Sequence, residues 1–147
     1  MLRDGRTTEE LGESLVVHLR TRLDAPALAL EDPLRTITGG YANPIYRARL
    51  RDAPPPFDRE LVIRADGRGS GPERLGREFE IHRFVHDHGY PTAEPIHFEP
   101  DGQVLGSPFV MMAWLDGTTP WVGASPKYSE PGLFRRMVDR VTVGGAA

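Results

Sequence analysis

The chain has 147 residues, 39% of them hydrophobic and 27% charged, which fits one globular domain able to bury roughly two thirds of its unfolded surface. Eighteen basic residues against 21 acidic ones leave a formal net charge of -3 with no Lys/Arg-rich block, which argues against a nucleic-acid protein held by phosphate neutralisation. Cysteine is absent, so a disulfide framework and a thiolate metal site are both excluded.

The first thirty residues mix charge with apolar side chains and hold no apolar core for a signal peptide. The longest apolar run, Pro108 to Leu115, is far short of the ~20 residues that span a bilayer. The expectation is a cytoplasmic protein with neither membrane nor nucleic acid among its partners.

In chain order, Thr7 and Glu10 stand at capping-box spacing, and Leu11, Leu15, Leu19 and Leu23 recur every fourth residue. That pattern predicts an amphipathic helix ending before Pro26. A β-branched stretch from Leu34 to Thr38 predicts a strand closed by Gly39 and Gly40. From Pro44 the chain alternates, with Tyr46, Ala48 and Leu50 on one face and Ile45, Arg47, Arg49 and Arg51 on the other. The two strands with their glycine turn read as a hairpin. Pro54, Pro55 and Pro56 form a stiff link to a third strand, Glu60 to Ala65.

Gly67, Gly69 and Gly71 end that strand, and Pro72 opens a helix that reaches about His88 and stops at Gly89. Leu75, Phe79, His82 and Val85 or His86 form its apolar stripe. A strand near Ile96 to Glu99, an Asp101-Gly102 turn and an apolar strand from Phe109 to Leu115 follow. The sum is an α+β fold with a largely antiparallel five-stranded sheet, an N-terminal helix and a second packed helix. Residues 1–117 form the folded part, and 118–147 a Gly/Pro-rich tail with a short helix from Leu133 to Val141.

Four features carry chemistry. The turn Gly39-Gly40-Tyr41-Ala42-Asn43 lets backbone N–H groups approach an anion, although it also suits an ordinary hairpin. In Leu61-Val62-Ile63-Arg64, alternation sets Val62 and Arg64 on one face, an apolar ceiling beside a cation. Glu78 on the next helix is placed to hold Arg64 as an ion pair, or to be simply solvated. The strand Phe109 to Leu115 offers backbone donors and acceptors at its end, through Met112, Ala113, Trp114 and Leu115.

Taken together, TGGYANPIYRARL, LVIRADG, REFEIHRFVHDHGYPTAEPIHFE and GSPFVMMAWLDG resemble the N-terminal lobe of the aminoglycoside phosphotransferase and choline kinase-like superfamily, over about Leu34 to Gly117. The resemblance implies a protein-kinase-like N-lobe fold that binds ATP, with magnesium in a complete enzyme, and transfers its γ-phosphoryl group to a small-molecule hydroxyl. It makes Gly39, Gly40, Tyr41, Ala42 and Asn43 the nucleotide-positioning loop. Arg64 takes the position of the phosphate-contacting lysine, and Glu78 is its partner. Met112 falls near the gatekeeper position, and the backbone from Ala113 to Leu115 meets adenine under Val62.

Two departures bear on this reading. Arginine replaces lysine at position 64, and Ala42 stands where relatives often carry serine. The family's His-Gly-Asp loop with its downstream asparagine and its later metal-holding aspartate motif do not occur in the 33 residues that follow Trp114 (147 minus 114). The expectation is therefore no catalytic residue and no metal ligand in this chain, an absent C-lobe, and no turnover by the chain alone.

Three other readings compete. Gly67-Arg68-Gly69-Ser70-Gly71 invites a dinucleotide loop, but a third glycine of that motif would fall on Pro72. Glu78, His82 and His86 share a helix face with metal-ligand spacing, with His88 and His97 nearby, although a histidine on an apolar stripe is more often a satisfied core residue. A non-catalytic interaction module or a truncated product that forms a homo-oligomer through Leu133, Phe134, Met137, Val138 and Val141 is the alternative to a kinase half.

Overall fold

The computed structural model describes residues 5–37 and 43–116. The Gly39–Ala42 part of the glycine turn and the Leu133–Val141 segment lie outside those residues.

Helix α1 spans Thr8–Leu23, and its start is the capping box expected from the sequence. Thr7 Oγ1 accepts the Glu10 N–H at 3.2 Å, and Glu10 Oε2 accepts the Thr7 N–H at 2.7 Å. Two of the orphan donors of the first turn are thereby satisfied. Asp24 ends the helix in the left-handed region at φ 50°, and Arg20 Nε donates to the Leu28 carbonyl at 2.7 Å, which turns the chain back.

Strands follow at Ala29–Leu30 (β1), Arg35–Thr36 (β2), Ile45–Arg51 (β3) and Glu60–Ala65 (β4). Helix α2 covers Pro72–Asp87, and β5 (Pro95–Glu99) and β6 (Phe109–Ala113) complete the fold. The strand order is β1-β3-β4-β6-β5, with β2 also paired to β3, and every pairing is antiparallel. The sheet thus has six strands where five were expected. The extra one, β1, is two residues long and too short for any periodicity to announce it. β2 is shorter than the Leu34–Thr38 estimate, but its pairing with β3 makes the hairpin.

Alternation along β3 and β4 divides the sheet into two faces. Tyr46, Ala48 and Leu50 join Leu61, Ile63 and Ala65 beneath α1, where Leu11, Leu15 and Leu19 are buried. Phe57, Leu105, Phe109 and Met111 complete this main core. The opposite face carries a smaller cluster, in which Leu75 and Phe79 of α2 pack on Val110, Phe98 and Met112. Helix α2 therefore covers the β5–β6 side of that face.

Close approach of α2 depends on Gly76. A Cβ there would meet the Phe98 ring at 3.0 Å and 3.3 Å, tighter than a ring held by Phe79 tolerates without shifting. Gly76→Val is expected to destabilise the fold by about 1–3 kcal/mol through overpacking. Gly76→Ala should be near neutral, because a helix-propensity gain of ~1 kcal/mol offsets a small ring displacement. Urea denaturation followed by circular dichroism measures both. A Val variant as stable as wild type would contradict the α2–Phe98 contact.

The side of the sheet facing α1 also buries charge. His97 and Glu99 of β5 are 6% and 5% exposed and lie beside His18 of α1. Burial holds the His97 imidazole below its usual pKa, with Arg22 acting in the same direction and Glu99 opposing. His97 is therefore neutral near pH 7. Among the described residues no helix is long and apolar enough to cross a membrane.

Candidate nucleotide site

The register of the central strands sets the residues of the face opposite α1 into rows. Ile45, Arg64 and Val110 are cross-strand partners in one row, and Arg47, Val62 and Met112 in the next. A third row pairs Arg49 with Glu60. Successive rows on one face of a strand are roughly 6.7 Å apart. The face thus presents an apolar strip, Val62 with Met112, between a row holding Arg64 and a row holding Glu60.

Arg64 is held from the side. Its guanidinium lies 3.1 Å from Glu78 Oε2 on α2, and Glu78 Oε1 lies 3.2 Å from Arg74 Nε. The carboxylate thus bridges two arginines, and Arg64 keeps 29% side-chain exposure toward solvent. A guanidinium fixed by one ion pair with donors still facing water suits a phosphate.

The loop after β4 is anchored by residues that periodicity alone does not single out. The Asp66 carboxylate accepts the N–H of Arg68 at 3.2 Å and of Gly71 at 2.9 Å, while its own N–H donates to the Pro108 carbonyl at 2.8 Å. Gly69 and Gly71 adopt φ of 69° and 87°, which bulky side chains resist. This clamp delivers α2, and with it Glu78, to Arg64. Asn43, the described end of the glycine turn, accepts the Gly67 N–H on its Oδ1 at 3.2 Å. The start of β3 is thereby tied to the end of β4.

The expected base-edge segment lies at the end of β6. The Ala113 N–H donates to the Glu94 carbonyl and the Trp114 N–H to the Glu60 carbonyl, both at 2.9 Å. Those two donors serve the fold. The N–H of Leu115, past the strand end on a residue 58% exposed, has no such bond among the described residues.

Trp114 belongs to a cluster with no counterpart in the sequence reading. The Arg47 guanidinium sits 4.3 Å from the centroid of its ring and 2.6 Å from Glu60 Oε1. Alternation had put Arg47 on this face, but only the register brings it to Val62 and shows its contact with Trp114. A cation over an indole face contributes about 0.5–1 kcal/mol at exposed sites, so the cluster mainly fixes the orientation of the ring.

The residues weighed for a metal are otherwise engaged. His82 Nε2 lies 2.8 Å from Thr92 Oγ1, and His86 Nδ1 lies 3.4 Å from the Thr92 carbonyl. Glu78 is held by Arg64 and Arg74. The face suits a nucleotide, with an apolar strip for a base and a cation one row away. It does not suit magnesium. Glu60 and Glu78, the carboxylates of these rows and of the Arg64 pair, are both ion-paired, and the described residues of this face offer no ligand set.

Comparison with known proteins bears on these features. A sequence model of the phosphotransferase enzyme family matches residues 33–139, well over half of the chain. Among solved structures, the chain is similar to the crystal structure of a protein from Ralstonia eutropha JMP134 assigned as an aminoglycoside phosphotransferase. The two are 24% identical with a TM-score of 0.52, and the match covers 78% of this chain and 32% of that one. The likeness shows the fold, an α+β kinase-like N-lobe. The present chain spans about a third of that neighbour's length. No curated protein matches it.

Proposed function

The chain belongs to the phosphotransferase enzyme family, and from that membership we propose that its open sheet face is the ATP-binding half of a small-molecule kinase. One observation carries the reading. Arg64, pinned by Glu78, stands one row from the Val62–Met112 strip on a face that α2 leaves partly uncovered.

In this reading adenine lies against Val62 and Met112. Its polar edge meets the Ala113 carbonyl and the Leu115 N–H, with Trp114 held beside it by Arg47. Arg64 takes the phosphates by charge-assisted hydrogen bonds, and its partner Glu78 keeps the guanidinium from swinging into solvent. The family resemblance assigns Gly39, Gly40, Tyr41 and Ala42, outside the described residues, to the phosphates, and Asn43 is tied to Gly67.

Residues 1–117 are the nucleotide-binding half, and 118–147 a following segment. ATP bound here supplies the γ-phosphoryl group for transfer to a hydroxyl. The general base, the magnesium ligands and the acceptor site of such a kinase lie on residues outside these 147, in which the His-Gly-Asp sequence does not occur. The chain alone is then a binder without turnover.

Calorimetric titration of the full chain with ATP, with and without magnesium, tests this. Saturable one-to-one binding that is weak, survives without magnesium and falls markedly for AMP is the expected result. Absence of any heat at millimolar ATP from folded protein would overturn the reading.

A further inference from the structure

On the other side of the sheet from the proposed nucleotide face, His18 of α1 and His97 and Glu99 of β5 converge. Their Nε2, Nε2 and carboxylate oxygen atoms all lie within 4.8 Å of one another. His18 Nε2 is 2.7 Å and His97 Nε2 is 3.4 Å from the same oxygen, Glu99 Oε2. Both nitrogens are buried, and the polar atom they converge on is that one shared carboxylate oxygen. Two imidazole nitrogens turned onto one buried carboxylate oxygen make a donor set that a bound cation would satisfy.

We propose that His18, His97 and Glu99 form a zinc site that fastens α1 to the edge strand β5. Two imidazole nitrogens and one carboxylate oxygen are a ligand set that zinc uses in three-protein-ligand sites, with water in the fourth position. Tetrahedral bonds of roughly 2.0–2.1 Å put neighbouring ligand atoms about 3.3 Å apart. The His97–Glu99 separation of 3.4 Å already meets that, the His18–Glu99 separation of 2.7 Å needs to open by about 0.6 Å, and the two nitrogens, within 4.8 Å of each other, need to draw in by at most about 1.5 Å.

The surroundings orient the carboxylate. The Asp101 N–H donates to Glu99 Oε1 at 3.0 Å, which leaves Oε2 turned to the imidazoles, an outer contact of the kind that orients metal ligands. Phe57 and Phe109 flank the His97 ring, with centroids 6.2 Å away in both cases. A cavity lined by Glu10, Glu13, Ser14, Gln103 and Val104 borders His18. Arg22 and Arg6 are the nearby cations, and they oppose the metal charge. Zinc here acts on the fold, because the site and the Arg64 face lie on opposite sides of the sheet.

The test is a zinc titration of the chelator-stripped full chain, in competition with a chromophoric chelator. Wild type is expected to bind one zinc per chain and to gain thermal stability when it does. Loss of an outer contact alone weakens metal sites by roughly 10–100-fold, so His18→Gln and His97→Gln should each lower affinity at least about a hundredfold. His86→Gln, outside the cluster, should change nothing. His18 is a quarter exposed, so its variant is expected to fold even if His97→Gln does not. Zinc affinity retained in His18→Gln, or no binding by folded wild type at micromolar zinc, would overturn the proposal.

Discussion

Phe109→Ala is expected to cost about 3–5 kcal/mol of stability, the usual range for emptying a buried phenylalanine site. The position concentrates the main core. Phe109 is fully buried, pairs with Ala65 on β4 and Glu99 on β5, and sets its ring edge-on to His97. The cavity would open in the core beneath β6, a strand that cannot drop inward without breaking the ladder on both of its sides. Since whole domains are stable by only about 5–15 kcal/mol, the variant should be partly unfolded near physiological temperature. Urea denaturation by circular dichroism gives the number. A loss below about 1 kcal/mol would contradict the central place of β6 in the core.

The second large effect falls on binding. Arg64→Ala is expected to weaken ATP about tenfold or more. A hydrogen bond to a charged group contributes about 1.5–3 kcal/mol, and the partial exposure of Arg64 argues for the low end of that range. Stability should barely change, because a solvent-exposed ion pair contributes about 0–1 kcal/mol and Glu78 retains Arg74. Arg64→Lys should recover part of the affinity, since it restores the charge without the planar fork. AMP affinity should respond less than ATP affinity in all these variants. Equal ATP affinity in wild type and Arg64→Ala would reduce the Arg64–Glu78 contact to a surface ion pair.

How much of this was legible in the sequence depends on the separation of the partners. Helix α1 was readable because its signals are local: Thr7 with Glu10, and leucines four apart. The faces of β3 and β4 were readable from alternation, which correctly separates Val62 and Arg64 from Leu61 and Ile63. The fold class followed from element order and from the family resemblance. Strand β1 was hidden because Ala29 and Leu30 become a strand only by pairing with Leu50 and Arg51.

Side-chain constellations that need the register stayed out of reach. Nothing local relates Arg47 to Trp114, and their contact exists because β4 lies between β3 and β6. The same holds for His18 with His97 and Glu99, which meet only after α1 folds across β5. Histidine spacing centred on His82 and His86, each of which turns one ring nitrogen to Thr92, and brought in His97 only as a neighbour, without His18 or Glu99. Asp66 is a further case. Its carboxylate organises the whole β4–α2 connection, yet an aspartate before a run of glycines reads as an ordinary turn residue.

The most direct measurement is a backbone amide NMR titration of the full chain with ATP, which locates a ligand as well as detecting it. Shifts that saturate at Val62, Arg64, Gly67, Met112, Ala113 and Leu115, with the α1 amides unmoved, are the predicted result. Saturable shifts confined to other parts of the molecule, or none at millimolar ATP, would contradict a nucleotide site on this face.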